Sequence, residues 1–273
     1  MQFWKMHGLG NDFIIIDNRS GEVNDAEAAD LAKRICERRW SVGADGLLLL
    51  SNSALADVKM RIFNADGSEA EMCGNGIRCL AKFCYDNGIA RKNEIGVETL
   101  AGMKKVWLSV ENDIVKAVKV DMGVPLWIRN QIPMLGEGIC INNDLQVDEE
   151  NYKVTCLSMG NPHCVIFVEN VDECPVEYLG SLIESNVAFP KRTNVEFVQV
   201  LGKDELKVRV WERGCGETLA CGTGACAAAV AANRLGEVGD KVKVHLAGGD
   251  LQIDVKEHVF MTGPAEKVFE GKL

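Results

Sequence analysis

The chain has 273 residues, 47% hydrophobic and 26% charged, with 30 basic against 40 acidic side chains and a formal net charge of −10. This allows one large or two medium domains with ample core. It argues against nucleic acid, whose binders carry basic patches, and against anionic membrane surfaces. The longest apolar run, Ala225–Ala232, is too short to span a bilayer. The opening MQFWKMHGLG lacks the apolar core of a secretory signal, so a cytoplasmic protein with reduced thiols is expected. Of the 11 cysteines, Cys36, Cys84, Cys140, Cys156, Cys164 and Cys174 read as small core residues.

Phe3–Met6 and the apolar Phe13–Ile16 predict two strands around the turn His7-Gly8-Leu9-Gly10-Asn11-Asp12. Asp25–Trp40 carries Ala28, Leu31, Ala32, Ile35 and Cys36 on one helical stripe. Asp45–Leu50 and Val58–Phe63 read as strands, followed by a helix from Gly74 to Asp86 that stops at Asn87-Gly88. Lys105–Val110 and Ile114–Asp121 form a hairpin around Asn112-Asp113, and the pattern breaks at Met122-Gly123-Val124-Pro125. Beyond it, Cys164–Val168, Asn194–Val200 and Lys207–Trp211 read as strands, and Val176–Glu184 and Thr223–Asn233 as helices. Residues after Thr262-Gly263-Pro264 are expected to return as a last strand to the first domain.

The stretch Asn64–Arg78, NADGSEAEMCGNGIR, recurs as Glu212–Cys226, ERGCGETLACGTGAC, at a spacing of 148 residues. The overlay pairs Arg61 with Arg209, Glu69 with Glu217, Cys73 with Cys221 and Gly76 with Gly224. Gly10-Asn11-Asp12 is echoed by Gly160-Asn161-Pro162-His163 at a spacing of 150, and Leu100-Ala101-Gly102 by Leu246-Ala247-Gly248 at 146, each of the latter expected to precede a hairpin. Ordered matches of this kind indicate an internal duplication. The expected fold is α+β: two similar domains, each a mostly antiparallel, barrel-like sheet wrapped around a central helix. Their expected bounds are 1–121, with 264–273 returning to it, and 122–263.

Both repeats place a cysteine at the mouth of an Ala-rich helix. There unpaired N–H groups and the positive end of the helix dipole favour thiolate, so both thiols are expected to be acidic. One thiolate could take a proton from a carbon while the opposite thiol delivers one to its other face, inverting a stereocentre. Amides around Gly74-Asn75 and Gly222-Thr223 would stabilise charge developing on a neighbouring carboxylate. No cofactor is expected.

The motif N-x-D-G-S-x4-C-G-N-G-x-R, complete from Asn64 to Arg78, resembles the signature of the diaminopimelate epimerases. E-R-G-x-G-E-T-x-A-C-G-T-G at Glu212–Gly224, the opening HGLGNDF and the internal SMGNPHCV are similar to that family too. The resemblance implies cofactor-independent interconversion of LL- and meso-diaminopimelate, in lysine and peptidoglycan precursor synthesis, by a homodimer. It implies Cys73 and Cys221 as the acid–base pair, with His163 and Glu212 setting their protonation. Gly74, Asn75, Gly222 and Thr223 would grip the carboxylate beside the reacting carbon. Asn11, Asn64, Asn161, Asn194, Glu212 and Arg213 would hold the rest of the substrate, Arg213 suiting the distal carboxylate. The chain departs from the pattern at Gly46, where some relatives carry glutamine, and at Cys215, an additional thiol.

Other classes fit less well. The spacings Cys73-x5-Cys79-x4-Cys84 and Cys215-x5-Cys221-x4-Cys226 exceed the two to four intervening residues usual for structural zinc. Neither glycine-rich segment ends in the GK[ST] of a phosphate loop. A related cofactor-independent racemase of the same fold, acting on proline for example, is the alternative. Arg61 and Arg209 read as outward-facing strand charges, Arg78 as a brace, and His7, His245 and His258 as structural or surface residues.

Overall fold

The computed structural model describes all 273 residues, which form two compact units: Met1–Asp121 with Thr262–Leu273, and Met122–Met261. The first contains β1 (Gln2–Gly8), β2 (Asn11–Asp17), α1 (Ala28–Cys36), β3 (Gly46–Ser51), β4 (Val58–Asn64), β5 (Glu69–Ala70), α2 (Gly74–Asp86), β6 (Glu94–Thr99), β7 (Gly102–Glu111) and most of β8 (Ile114–Gly123). The second contains β9 (Cys140–Val147), β10 (Glu150–Ser158), β11 (Pro162–Phe167), α3 (Val176–Glu184), β12 (Asn194–Gly202), β13 (Glu205–Glu212), β14 (Gly216–Thr218), α4 (Gly222–Arg234), β15 (Lys241–Leu246), β16 (Gly249–Asp254) and most of β17 (Val259–Gly263). The closing strand β18 (Glu266–Lys272) belongs to the first unit, where it pairs antiparallel with β1.

Each unit repeats one pairing scheme. β1–β2 and β10–β11 are antiparallel, β2–β3 and β11–β12 parallel, β3–β4 and β12–β13 antiparallel. β4–β6 and β13–β15 are again parallel. The helices match as well: α1 and α3 have 9 residues each, α2 and α4 have 13 each. β9 pairs antiparallel with β10 as β18 does with β1, so the chain's last strand fills in the first unit the slot that β9 fills in the second.

Alternation along the strands sends side chains to two different helices. Ile14, Ile16, Leu47 and Leu49 join Leu31 and Ile35 of α1 in one core, and Ile166, Val195 and Phe197 join Val176 and Ile183 of α3 in another. The opposite face holds the central helix. Residues of α4 from Ala225 to Ala232 are all buried, and α4 packs against β10, β11, β12, β13, β15 and β16. Small side chains at nearly every position of α4 permit that close enclosure. The β1–β2 turn uses Leu9 (φ 56°) and Gly10 (φ 85°), and the β7–β8 turn uses Asn112 (φ 49°) and Asp113 (φ 66°). These are the left-handed pairs that two-residue hairpins require.

Two sequence expectations need correction. The stripe read over Asp25–Trp40 yields only Ala28–Cys36, because the chain turns extended at Glu37. The Leu-Ala-Gly segments are themselves turns, joining β6 to β7 and β15 to β16, and the β7–β8 hairpin follows the first of them as expected. Register pairs Thr99 with Gly102 and Leu246 with Gly249, so Gly102 corresponds to Gly249 and the sequence match at 146 is out of step by one residue. The β9–β10 hairpin had no reading, since Cys140–Val147 mixes polar and apolar residues and leaves Asn142, Asn143 and Asp144 exposed.

Candidate active site: two thiol-capped helices

In the first unit Cys73 is the extended N-cap of α2 (φ −138°, ψ 122°), and its Sγ accepts the Gly76 N–H at 3.4 Å. A helix N-terminus presents several such N–H groups without intrahelical partners, and Gly74, Asn75 and Gly76 supply them here. Cys73 Sγ donates to Asn11 Oδ1 at 3.7 Å, and Asn75 Nδ2 donates to the same oxygen at 3.2 Å. Asn11 in turn donates from Nδ2 to Asp45 Oδ2 at 2.9 Å. The β1–β2 hairpin therefore delivers Asn11 to the thiol. Asn64 stands apart from this cluster, donating to Ser68 Oγ at 2.9 Å. Gly46, paired in register with Asn64, has no room for a side chain: a Cβ there would meet Phe63 O at 2.8 Å.

In the second unit Cys221 is the extended N-cap of α4 (φ −114°, ψ 111°), buried, with Sγ 3.5 Å from Thr223 Oγ1. Asn161 Nδ2 donates to Thr223 Oγ1 at 3.2 Å, and Asn161 Oδ1 lies 2.9 Å from His163 Nε2. His163 is fully buried, and its Nδ1 is 2.7 Å from Glu196 Oε1, itself fully buried. Asn194 donates to Pro162 O at 2.8 Å and accepts the Arg213 N–H at 2.9 Å, tying the β11 entrance to the β13–β14 turn. The Glu212 carboxylate accepts the Thr218 hydroxyl, and Arg213 Nη1 donates to Lys191 O at 3.3 Å. Cys215 is exposed on the same turn.

The expectation of two acidified thiols fails for Cys221. Burial, then the carboxylates of Glu212 and Glu196, push its pKa well above the usual thiol value, while Thr223 and the Gly224 N–H act in the opposite sense but are outweighed. Desolvation of a thiolate outweighs the helix terminus here. Burial also pushes up the thiols of Cys36, Cys79 and Cys84, each to about 12. No three His, Cys, Asp or Glu side chains converge as a metal site would require.

Glu196 was not anticipated. Its signal was present in the sequence: it lies on the same strand face as Asn194, and the duplication pairs it with Leu48. Arg61 and Arg209 were read as outward-facing; both are partly buried instead. Arg61 forks onto Glu69 (2.7 and 3.0 Å) and Arg209 onto Glu217 (2.7 and 3.0 Å), the same ion pair made twice. Arg78 is fully buried and donates to Gly74 O and Pro264 O, each at 3.1 Å.

Comparison with known proteins bears on this geometry. The family model described as diaminopimelate epimerase matches residues 3–128 and 155–268. The chain is 54% identical to the diaminopimelate epimerase of Moorella thermoacetica over 275 residues, covering 99% of this chain and 98% of that protein. It is 50% identical to that of Methanococcus maripaludis over 277 residues, covering 100% and 99%. Among solved structures, a Bacillus anthracis phenazine biosynthesis protein of the PhzF family superposes with a TM-score of 0.74 at 18% identity, covering 100% of this chain and 98% of that one. A probable proline racemase from Agrobacterium radiobacter superposes with a TM-score of 0.73 at 14% identity, covering 100% and 92%. These two structures share the fold, whereas the family model and the close relatives extend along almost the whole sequence, through both thiol-capped helices, and the chain belongs to the diaminopimelate epimerase family.

Proposed function

We propose that this isomerase interconverts LL- and meso-diaminopimelate without a cofactor, using Cys73 and Cys221 as its two acid–base groups. The observation that carries the reading is the repeated cap: one thiol at the N-terminus of each of two matched 13-residue helices. One sulfur, as thiolate, takes the α-proton. The electron pair left on carbon delocalises into the adjacent carboxylate, which the amides of Gly74, Asn75, Gly222 and Thr223 would receive. The other thiol then returns a proton to the opposite face.

Asn11, Asn64, Asn161, Asn194, Glu212 and Arg213 would hold the substrate, with His163 and Glu212 acting on the protonation of the thiols. For Arg213 this means exchanging its exposed bond to Lys191 O for a carboxylate, a stronger bidentate partner. We place the enzyme in the cytoplasm, as a homodimer, supplying lysine and peptidoglycan precursors; no helix is long and apolar enough to cross a membrane.

The test is solvent deuterium incorporation at the α-carbon from each isomer, with Cys73→Ala and Cys221→Ala alongside. Each variant should lose epimerisation entirely. Normal turnover by either one overturns the two-thiol scheme. Turnover of L-proline with none of diaminopimelate would assign the chain to a related racemase activity.

A further inference from the structure

Glu196 and His163 form a buried pair that the fold does not require. The register that sets His163 beside Asn194 and Val165 beside Glu196 in β11–β12 sets Phe13 beside Gly46 and Ile15 beside Leu48 in β2–β3. The first unit thus builds the same strands, and the same enclosure of its central helix, with Phe13 and Leu48 where the second has His163 and Glu196. Burying a carboxylate is costly unless it is paired. Here one oxygen meets His163 Nδ1 at 2.7 Å, and the other, Oε2, is buried with no hydrogen-bond partner. Packing alone would favour the apolar pair.

What the polar pair adds is a direction. From Glu196 the contacts run to His163, from His163 Nε2 to Asn161 Oδ1 (2.9 Å), from Asn161 Nδ2 to Thr223 Oγ1 (3.2 Å), and from Thr223 Oγ1 to Cys221 Sγ (3.5 Å). Both ring nitrogens face oxygen acceptors, which suits an imidazolium donating at both ends. The Asn161 amide is then fixed with its oxygen to the ring and its NH2 to Thr223. Thr223 Oγ1 is occupied as an acceptor, so its hydrogen is left for Cys221 Sγ, a donation that favours thiolate. With neutral imidazole carrying hydrogen only on Nδ1, the amide would turn over. Thr223 would then donate to Asn161 and accept from the thiol.

We propose that Glu196 is a positioning residue that acts through His163, Asn161 and Thr223 to turn the Thr223 hydroxyl toward Cys221 Sγ and so favours the thiolate whenever that sulfur must act as base. No proton is transferred along the chain; the donation of His163 toward Asn161, with the other ring nitrogen held by Glu196, selects which way the hydrogen bonds point. The first unit has no such device, so the two matched thiols are made inequivalent. The charged groups that reach Cys221 are Glu212 on β13 and Glu196 on β12, and His163 on β11 acts on Glu196. The other buried ionisable side chains on β10, β11 and α4 are the thiols Cys156, Cys164 and Cys226.

The inference rests on Cys221 being one of the acid–base thiols, yet its test needs no turnover. The pH midpoint for alkylation of Cys221 by iodoacetamide is followed by mass spectrometry in the whole enzyme, with Cys73 as the internal reference. Glu196→Leu, the residue the first unit uses, and the isosteric Glu196→Gln are compared with the parent. The Cys221 midpoint should rise by about one pH unit in both, roughly a tenfold loss of reactivity at fixed pH below it, while the Cys73 midpoint stays in place. A change of access alters the limiting rate and leaves the midpoint unmoved. A fall in the Cys221 midpoint would mean that Glu196 acts only as a nearby like charge, and no change that it only packs; either result overturns the proposal. If the leucine variant does not fold, the glutamine variant decides. Nitrogen NMR of His163 supplies the second readout: the pattern of hydrogens on its two ring nitrogens should differ between the parent and the variants, and an unchanged pattern overturns the proposal. Loss of activity in Cys221→Ala is a separate question, so the two readings fail separately.

Discussion

A Cβ placed on Gly224 would lie 2.8 Å from Glu196 Oε1 and 3.4 Å from Cys221 Sγ. The corresponding Cβ on Gly76 would meet Leu48 Cδ2 at 3.3 Å, the movable end of an aliphatic side chain. Glu196 cannot give way so easily, because His163 holds it. Gly224→Ala should therefore cost about 1–3 kcal/mol, as overpacking does. Gly76→Ala should be close to neutral, since alanine in a helix returns roughly 0.5–1 kcal/mol. Urea denaturation of both variants checks this; equal losses would remove Glu196 as the cause of the difference.

The doubled ion pair is not doubled in strength. Arg209 adds to its Glu217 fork donations from Nη1 to the carbonyls of Val171 and Cys174, both at 3.1 Å, which hold the entry to α3. Arg61 adds an ion pair to Asp25, whose side chain is 92% exposed. An exposed partner contributes little. Arg209→Lys should cost about 1–2 kcal/mol and Arg61→Lys under about 1 kcal/mol, because lysine cannot reproduce the fork. Chemical denaturation at matched salt measures both.

Arg78 binds the start of α2 to the closing segment through Gly74 O and Pro264 O. Arg78→Met keeps the apolar volume and removes the donors, leaving buried carbonyls behind. The expected loss is about 2–4 kcal/mol. Brief proteolysis should then cut first near residues 262–273, since that segment loses an anchor. A variant that is weakened but still resists cleavage there would argue against the brace.

His245 is flanked by Glu205 Oε1 and Asp250 Oδ1, each at 2.7 Å, and the hydrogen bond to Glu205 leads in raising its pKa above the ordinary 6.5. A folded-state pKa above the unfolded value gives stability that is fully present below pH 6.5 and lost as pH rises through the folded value. The site is only partly buried, so solvent screening limits the gain to under about 1 kcal/mol. The melting temperature of His245→Gln should fall short of the parent's at pH 6 and converge with it by about pH 9. A gap that widens with pH would contradict this.

The duplication, the helices α2, α3 and α4 and the capping positions of Cys73 and Cys221 were legible because each rests on local pattern: a repeat at 148 residues, a helical stripe, a cysteine before a glycine. Apolar periodicity survives any tertiary arrangement. The β9–β10 hairpin was illegible for the same reason reversed, since its strands mix polar and apolar residues without a clean period.

What the sequence by itself determined is that two equivalent thiols sit at two equivalent helix mouths. Tertiary structure decided that they are not equivalent. Whether a helix terminus acidifies a cysteine depends on the water and charge around it. Those were set by strands distant in sequence, which bury Cys221 beside Glu212 and Glu196 and hand Asn11 to Cys73. Local pattern fixes where a side chain starts; the neighbours that packing brings to it fix its proton.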